Sequence, residues 1–385
     1  MNKTARTTIL AGNASTNATL YHRTRFIAPD ACVMIEFADG GSLLLVRDLE
    51  MERARKHAKA DRICCAADFT PASGLSGDRD TALAQAAAEC LKQHGQSDVI
   101  VDRTLPYLYA HHIEQVGIKI EYSEHFGVIA RRIKDEEEIE HLRYAQKITG
   151  EAMTYACRMI ANSKPDKDGI LHSDGAVLTS EIVRYRITAF LNEKNFSNSH
   201  DSIVVTTPHV ADCHHFGSGP LKADIPIIVD IFPMDNQTRY CGDMTRTVVC
   251  GEASEEVRKM HAVVAEAKVA GCNALRAGTT GEAVHKATIE VILKHGYSNI
   301  RGSSSPTHQK PAMHHGTGHG IGLDVHEPIL LDNGGGEIFS GEIFTVEPGL
   351  YSAEIGGVRL EDMVLVIEES HQVLSNIQES LNWKF

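Results

Sequence analysis

Fifteen consecutive residues, His314-His-Gly-Thr-Gly-His-Gly-Ile-Gly-Leu-Asp-Val-His-Glu-Pro328, hold four histidines and four glycines. His315 and His319 are four apart and would share a helix face, but glycine costs a helix about 1 kcal/mol at each position. The composition therefore predicts a loop or irregular strand, in which glycine lets the backbone approach a ligand and imidazoles converge on one point. Carboxylates with matching placement lie on both sides of this stretch. Ile225-Pro-Ile-Ile-Val-Asp230 reads as an apolar strand ending on an acid, and Tyr240–Cys250 as a second strand carrying Asp243. A hairpin between them brings Asp230 and Asp243 together, where two carboxylates repel unless a proton or cation neutralises them. Downstream, Glu347 ends the apolar run Ile343–Val346, and Gly356–Ile367 alternates so that Arg359, Glu361 and Met363 are expected on one strand face. Any one of these acids reads as a solvated strand end. Four of them on Ile- and Val-rich strands, beside a glycine-embedded histidine, do not read as surface. Oxygen-rich ligation with a single imidazole suits two hard or borderline divalent ions bridged by carboxylates, such as manganese, cobalt or zinc.

The elements that must position these residues divide near residue 130. Before it, Cys32–Phe37 and Ser42–Val46 flank Ala-Asp-Gly-Gly as a hairpin. Helical patterns over 49–60, 78–94 and 105–116 alternate with strands at 99–101 and 118–122, a small α/β domain. After it, Lys134-Asp-Glu-Glu-Glu138 opens a long helix whose apolar positions Ile139, Leu142, Ala145, Ile148, Ala152, Ala156 and Met159 step by three or four. The acidic run suits a helix N-terminus and is expected to form a solvated first turn. Further helices are expected over about 179–194, 255–275 and 281–295, the last closed by Gly296, with strands between them from Asp201 onward. The second half is thus α+β.

At 385 residues the chain is long enough for two cores. Its 51 Asp+Glu against 38 Lys+Arg argue against nucleic acid or an anionic membrane as the main partner. Nine cysteines without a Cys-x-x-Cys pair fit a reduced cytoplasm. The N-terminal MNKTARTTILAGNAS has an apolar run of only three residues, too short for a signal core or a membrane span.

From about Arg131 to Ile367 the motifs resemble those of the pita-bread-fold metallopeptidases, a family that includes methionine aminopeptidase, aminopeptidase P and prolidase. Val229-Asp-Ile231 and Gly242-Asp-Met-Thr-Arg-Thr247 resemble the two aspartate motifs, and His315–Gly322 the histidine motif. Thr345–Tyr351 and Arg359-Leu-Glu-Asp362 resemble the two glutamate motifs. The resemblance implies that Asp230, Asp243, His319, Glu347 and Glu361 hold two metal ions, manganese foremost, with Asp243 and Glu361 bridging. The aspartates are thirteen apart, two more than in the common pattern, and the extra residues fall in the Met234–Arg239 turn. By the same resemblance His326 and His214 bind substrate and intermediate, with His215 competing for the second role. Glu347 relays protons, Arg359 belongs to the catalytic set, Tyr351 lines the substrate site, and His315 either lines it as well or supports the loop backbone.

The extra N-terminal domain, the Gly322-Leu-Asp-Val-His326 run and Arg359 two residues before Glu361 resemble the proline-directed branch. The implied fold is α+β, a pita-bread catalytic domain over 131–385 preceded by a creatinase/prolidase-like α/β domain over 1–130. The implied activity is aminopeptidase P-like cleavage of peptides with proline second, by a cytoplasmic homodimer. Prolidase activity is the alternative, followed by a non-peptidase or binding member of the fold. A nucleotide-binding loop is disfavoured because Leu323 stands where the G-x-G-x-x-G spacing from Gly318 requires glycine.

Overall fold

A computed structural model describes residues 6–198, 200–300 and 310–384. The first five residues, part of the N-terminal stretch read for targeting features, lie outside the described residues. The chain divides into two compact units, Met1–Arg131 and Arg132–Phe385.

The first unit is built on a six-stranded sheet in the order Arg62–Cys65, Ser42–Val46, Cys32–Glu36, Thr8–Gly12, Asp98–Val101, Lys119–Tyr122. The expected hairpin is present, with Val33 opposite Leu45, and Gly40 at φ +97° in the turn where a side chain is strained. Helices Arg79–Gln93 and Tyr107–Gln115 contribute Leu83, Ala87, Leu91 and Ile113 to a core shared with Ile9, Ile35 and Leu45.

In the second unit the long helix runs Glu136–Ala161. Asp135 caps it in a box with Glu138, each side chain accepting the other's backbone N–H. Its first turn is not wholly solvated, contrary to the sequence expectation. Glu138 is buried and accepts a hydrogen bond from Tyr240 Oη at 2.5 Å, and Lys134 just before it is buried against Glu327 at 3.0 Å. The apolar face packs with helix Ser180–Glu193 against Val229, Ile231 and Met244. Helices Glu255–Ala274 and Gly281–Lys294 carry two further cores, with Leu350, Val358, Phe344 and Val364. Among the described residues no helix is long and apolar enough to cross a membrane.

Three sheets matter for the site. One holds Ile203–Val205, Ile227–Ile231 and Met244–Val248, all antiparallel. A second includes Ala312–Met313, Gly349–Ser352 and Gly356–Arg359, and a third Glu327–Leu331, Gly318–Gly320, Ile343–Val346, Asp362–Ile367 and Ser370–Val373. The expectation that Arg359, Glu361 and Met363 share one face of one strand is therefore wrong. Arg359 ends a strand of the second sheet, Met363 lies in the third, and Glu361 occupies the crossing between them. The whole run from Gly356 to Val366 is buried, so its alternation carried no inside-outside signal.

Candidate metal centre

Each acid of interest sits where a ladder stops. The hairpin pairs Asp230 with Thr245 and Ile231 with Met244, so Asp243 follows one residue beyond the last pair. Strands Ile343–Val346 and Asp362–Ile367 pair up to Val346 and Asp362, which leaves Glu347 and Glu361 facing each other past the end. The Glu361 N–H donates to the Thr245 carbonyl at 3.1 Å, tying this break to the first hairpin. His319 lies in the short strand Gly318–Gly320, whose register against Glu327–Leu331 shifts between His319 and Gly320. Gly318 is required there, because a Cβ would lie 1.9 Å from the Thr345 carbonyl oxygen. The glycine-rich stretch is thus an irregular strand in close contact with its neighbour, as its composition implied.

Asp243, His319 and Glu361 are buried, and one ligand-type atom of each lies within 4.8 Å of the other two. His319 Nε2 is 3.8 Å from both Asp243 Oδ2 and Glu347 Oε1. Its Nδ1 is 3.1 Å from the Gly320 carbonyl, so Nδ1–H is the donor and the Nε2 lone pair faces the acids. Burial first, and then the nearby His326 imidazole, lower the His319 pKa to about 4, which keeps that lone pair free of protons. Asp230 binds Arg359 Nη2 through Oδ2 at 2.6 Å, while among the described residues its buried Oδ1 has no hydrogen-bond partner. A buried carboxylate oxygen without a donor calls for a cation or proton.

The electrostatics point the same way. Burial, then Glu361 and the other acids, push the Asp243 pKa well above the ordinary carboxylate range. Glu361 is pushed well up by burial and by Glu347, although Thr245 Oγ1 donates to its Oε2 at 2.7 Å. Burial raises Glu347 to about 7 despite the attraction of Arg359. Four carboxylates and one neutral imidazole crowded in this way are a donor set for divalent cations, whose charge offsets the repulsion. Of the five residues named from the sequence, Asp243, His319 and Glu361 meet here, Glu347 lies 3.8 Å from His319, and Asp230 acts on the acids as a like-charged neighbour.

The remaining site residues surround the acids. His315 Nε2 is 2.7 Å from Tyr351 Oη, which accepts from Arg359 Nη1 at 3.0 Å; Arg359 in turn holds Asp230. Burial lowers the His315 pKa to about 3. His326 is exposed, its ring edge-on to His319 at 4.3 Å between centroids. His214 is exposed and is among the neighbours that depress both His315 and His326, after burial. His215 stacks on His209 at 4.4 Å, and its Nδ1 accepts the Gly217 N–H at 2.9 Å. The sequence reading missed Thr245, the donor to Glu361, and Arg246, whose Nη1 donates to the Glu361 carbonyl at 2.6 Å and whose Nη2 pairs with Asp362 at 2.7 Å. Both lie inside the second aspartate motif, where their spacing from Asp243 was the available signal.

A two-unit α+β chain with buried acids and one imidazole at converging sheet breaks defines a metallohydrolase-type centre. Residues 140–368, more than half of the chain, match the metallopeptidase family M24, and the chain belongs to that family. It is similar to an uncharacterized peptidase of Staphylococcus haemolyticus, 29% identical over 261 residues. That match covers 66% of this chain and 67% of that protein; for a Staphylococcus aureus relative the shares are 65% and 64%. The chain thus spans about two thirds of the length of the curated relatives it matches. Its fold is similar to an Xaa-Pro dipeptidase from Bacillus anthracis, with TM-score 0.79, 24% identity, and coverage of 97% of this chain and 94% of that one. It is also similar to an X-Pro aminopeptidase from Thermotoga maritima, with TM-score 0.78, 20% identity, and coverage of 98% and 97%.

One consequence concerns the metal-free protein. With Glu347 at about 7 in the folded state against an ordinary 4.5, the folded chain binds a proton that the unfolded chain releases. Its contribution is fully present below the ordinary value and is lost as pH rises through about 7. After chelation, Glu347→Gln should therefore gain stability relative to the unsubstituted protein between pH 5 and pH 8, by up to ~3 kcal/mol. Thermal denaturation across that range measures it. A constant or shrinking difference contradicts the assignment.

Proposed function

We propose that the chain hydrolyses the first bond of peptides with proline in second position, as an aminopeptidase P-like enzyme using two divalent ions, manganese foremost. The observation that carries this reading is the meeting of Asp243, His319 and Glu361, together with a buried Oδ1 of Asp230 that has no donor among the described residues. Asp230, Asp243, His319, Glu347 and Glu361 are the residues that would hold the ions. When bound there, the ions supply an activated water and polarise the scissile carbonyl.

The chain's own residues supply the rest. Glu347 can accept a proton on its carboxylate and return it to the leaving nitrogen. Asp230 receives the substrate's free amine, and Arg359 fixes that carboxylate through Oδ2. His326 and His214, both exposed beside the buried acids, donate to the oxygen that gains charge and to the departing proline. A bond before proline is a tertiary amide without N–H, and the ring is rigid. Of the hydrogen-bonded rings His315 and Tyr351, the half-buried His315 is the one a proline ring can reach, with Tyr351 buried behind it.

Prolidase activity is the second reading, and the fold similarity to an Xaa-Pro dipeptidase supports it. A dipeptidase needs a cation for the substrate's carboxylate. Arg359, the arginine beside the glutamate motifs, is already committed to Asp230 and Tyr351, which favours longer peptides. The nine free cysteines support a reducing cytoplasm. A homodimer rests on the branch resemblance alone.

The test is an assay of manganese-loaded enzyme on Gly-Pro, Arg-Pro-Pro and Met-Ala-Ser, with metal content measured before and after chelation. Cleavage of Arg-Pro-Pro, up to two ions per chain and loss of activity on chelation are expected. Exclusive cleavage of Gly-Pro selects prolidase, and turnover of Met-Ala-Ser alone overturns the proline-directed branch. Activity indifferent to chelation in a metal-free protein overturns the metal mechanism.

A further inference from the structure

Asp243 stands just outside the hairpin ladder, so its own peptide groups have no strand partner in it. They are satisfied by a side chain from the long helix. Gln146 Oε1 accepts the Asp243 N–H at 3.0 Å, and Gln146 Nε2 donates to the Asp243 carbonyl at 2.7 Å. The amide thus substitutes for a neighbouring strand at the one residue where the ladder has ended. Gln146 is buried, on the helix face otherwise occupied by Ala145, Thr149 and Met153. Its Nε2 is itself steadied by Ser375 Oγ, an acceptor at 3.0 Å. The residue before Asp243 shows how closely the helix approaches, since a Cβ on Gly242 would lie 2.1 Å from Thr149 Oγ1 and 2.9 Å from the Ala145 carbonyl.

We propose that Gln146 is a positioning residue of the metal centre, fixing the backbone of Asp243 so that its buried carboxylate points at His319 and Glu361. The two hydrogen bonds hold the peptide groups on either side of the Asp243 Cα, the N–H of one and the carbonyl of the other, and so fix both its location and its rotation, whereas one bond would leave a hinge. That backbone sets the direction of the Cα–Cβ bond, from which the carboxylate hangs through the Cβ–Cγ bond. A tilt of the peptide therefore displaces the Oδ atoms directly, at a centre where ligand atoms lie within 4.8 Å of one another. The inference rests on the reading of Asp243 as a metal ligand.

Gln146→Leu removes both hydrogen bonds at similar volume. Gln146→Glu is nearly isosteric, keeps the acceptor for the Asp243 N–H and loses the donor to its carbonyl, so it tests the inference if the leucine variant does not fold. Thr154→Val is the control: Thr154 lines the same surface groove as Gln146 but its hydroxyl bonds to Gly150. Manganese binding to each full-length protein is measured by calorimetric titration, together with binding to Asp243→Asn and to the double variant Asp243→Asn/Gln146→Leu. Dissociation constants 10–100-fold weaker are expected for both Gln146 variants, the range for lost outer-shell support. Thr154→Val should be unchanged, and Gln146→Leu should add little in the Asp243→Asn background. Unchanged affinity in a folded Gln146 variant while Asp243→Asn binds weakly overturns the inference. An equal loss with and without Asp243 also overturns it, because the effect then does not pass through that ligand. Unchanged affinity in Asp243→Asn overturns instead the metal-site reading beneath it.

Discussion

Glu361→Gln should lower turnover by far more than the roughly 10–100-fold expected from losing an outer-shell partner, while the metal-free protein becomes no less stable. The two halves of this result come from one environment. In the metal-free chain Glu361 is buried among like charges, and burial with Glu347 pushes its pKa well up. Its surroundings therefore favour the neutral acid, and glutamine reproduces that form in size and polarity. The hydroxyl of Thr245, 2.7 Å from Oε2, can still donate to the amide oxygen. What glutamine cannot supply is the negative charge and second oxygen that a shared divalent ligand must offer. Asp243→Asn should behave alike, since burial and Glu361 hold its carboxyl high as well. Calorimetric melting after chelation reads the first half, and kcat with metal content reads the second. A Glu361→Gln variant with full turnover and two ions bound would remove Glu361 from the ligand set.

The contrast between Glu361 and its neighbours also marks what a sequence can show. Asp230 and Asp243 were legible because an apolar strand, a polar turn and a second apolar strand predict a hairpin, and the hairpin is there. The glycines around His319 ruled out a helix through a local backbone cost that needs no tertiary information. Glu361 was named from its motif but misplaced on a continuous strand. Nothing in the pattern from Gly356 to Ile367 marks the crossing at Leu360-Glu361, because both sides are buried in different sheets. The strand Thr8–Gly12 was missed for a related reason. It is central, flanked by partners on both edges, and its five residues have too little alternation to register. Glu138 and Gln146 lay on a helix whose apolar period was read correctly. What such a period cannot reveal is that a polar residue on the inner face has a partner, here Tyr240 or the backbone of Asp243.

His326→Ala should reduce kcat by about 10²–10³-fold, the scale for losing one donor to a developing charge, with metal content unchanged. The geometry requires this separation. His326 is exposed and meets His319 edge-on at 4.3 Å, so it sits beside the acid cluster without belonging to it. Truncation leaves no buried partner stranded, and stability should hardly change. His214→Ala should follow the same pattern, because His214 is exposed and acts electrostatically on both His315 and His326. His215 differs from its neighbour in what it touches. Its ring stacks on His209, and its Nδ1 accepts the Gly217 N–H, so its work is to hold the loop. His215→Ala should therefore lower the melting temperature more than it lowers kcat. Steady-state kinetics on Arg-Pro-Pro, with melting curves for all three variants, distinguish the roles. If His215→Ala loses turnover at full stability while His214→Ala keeps it, the catalytic histidine of the pair is His215. If His326→Ala loses its metal, His326 belongs among the ligands.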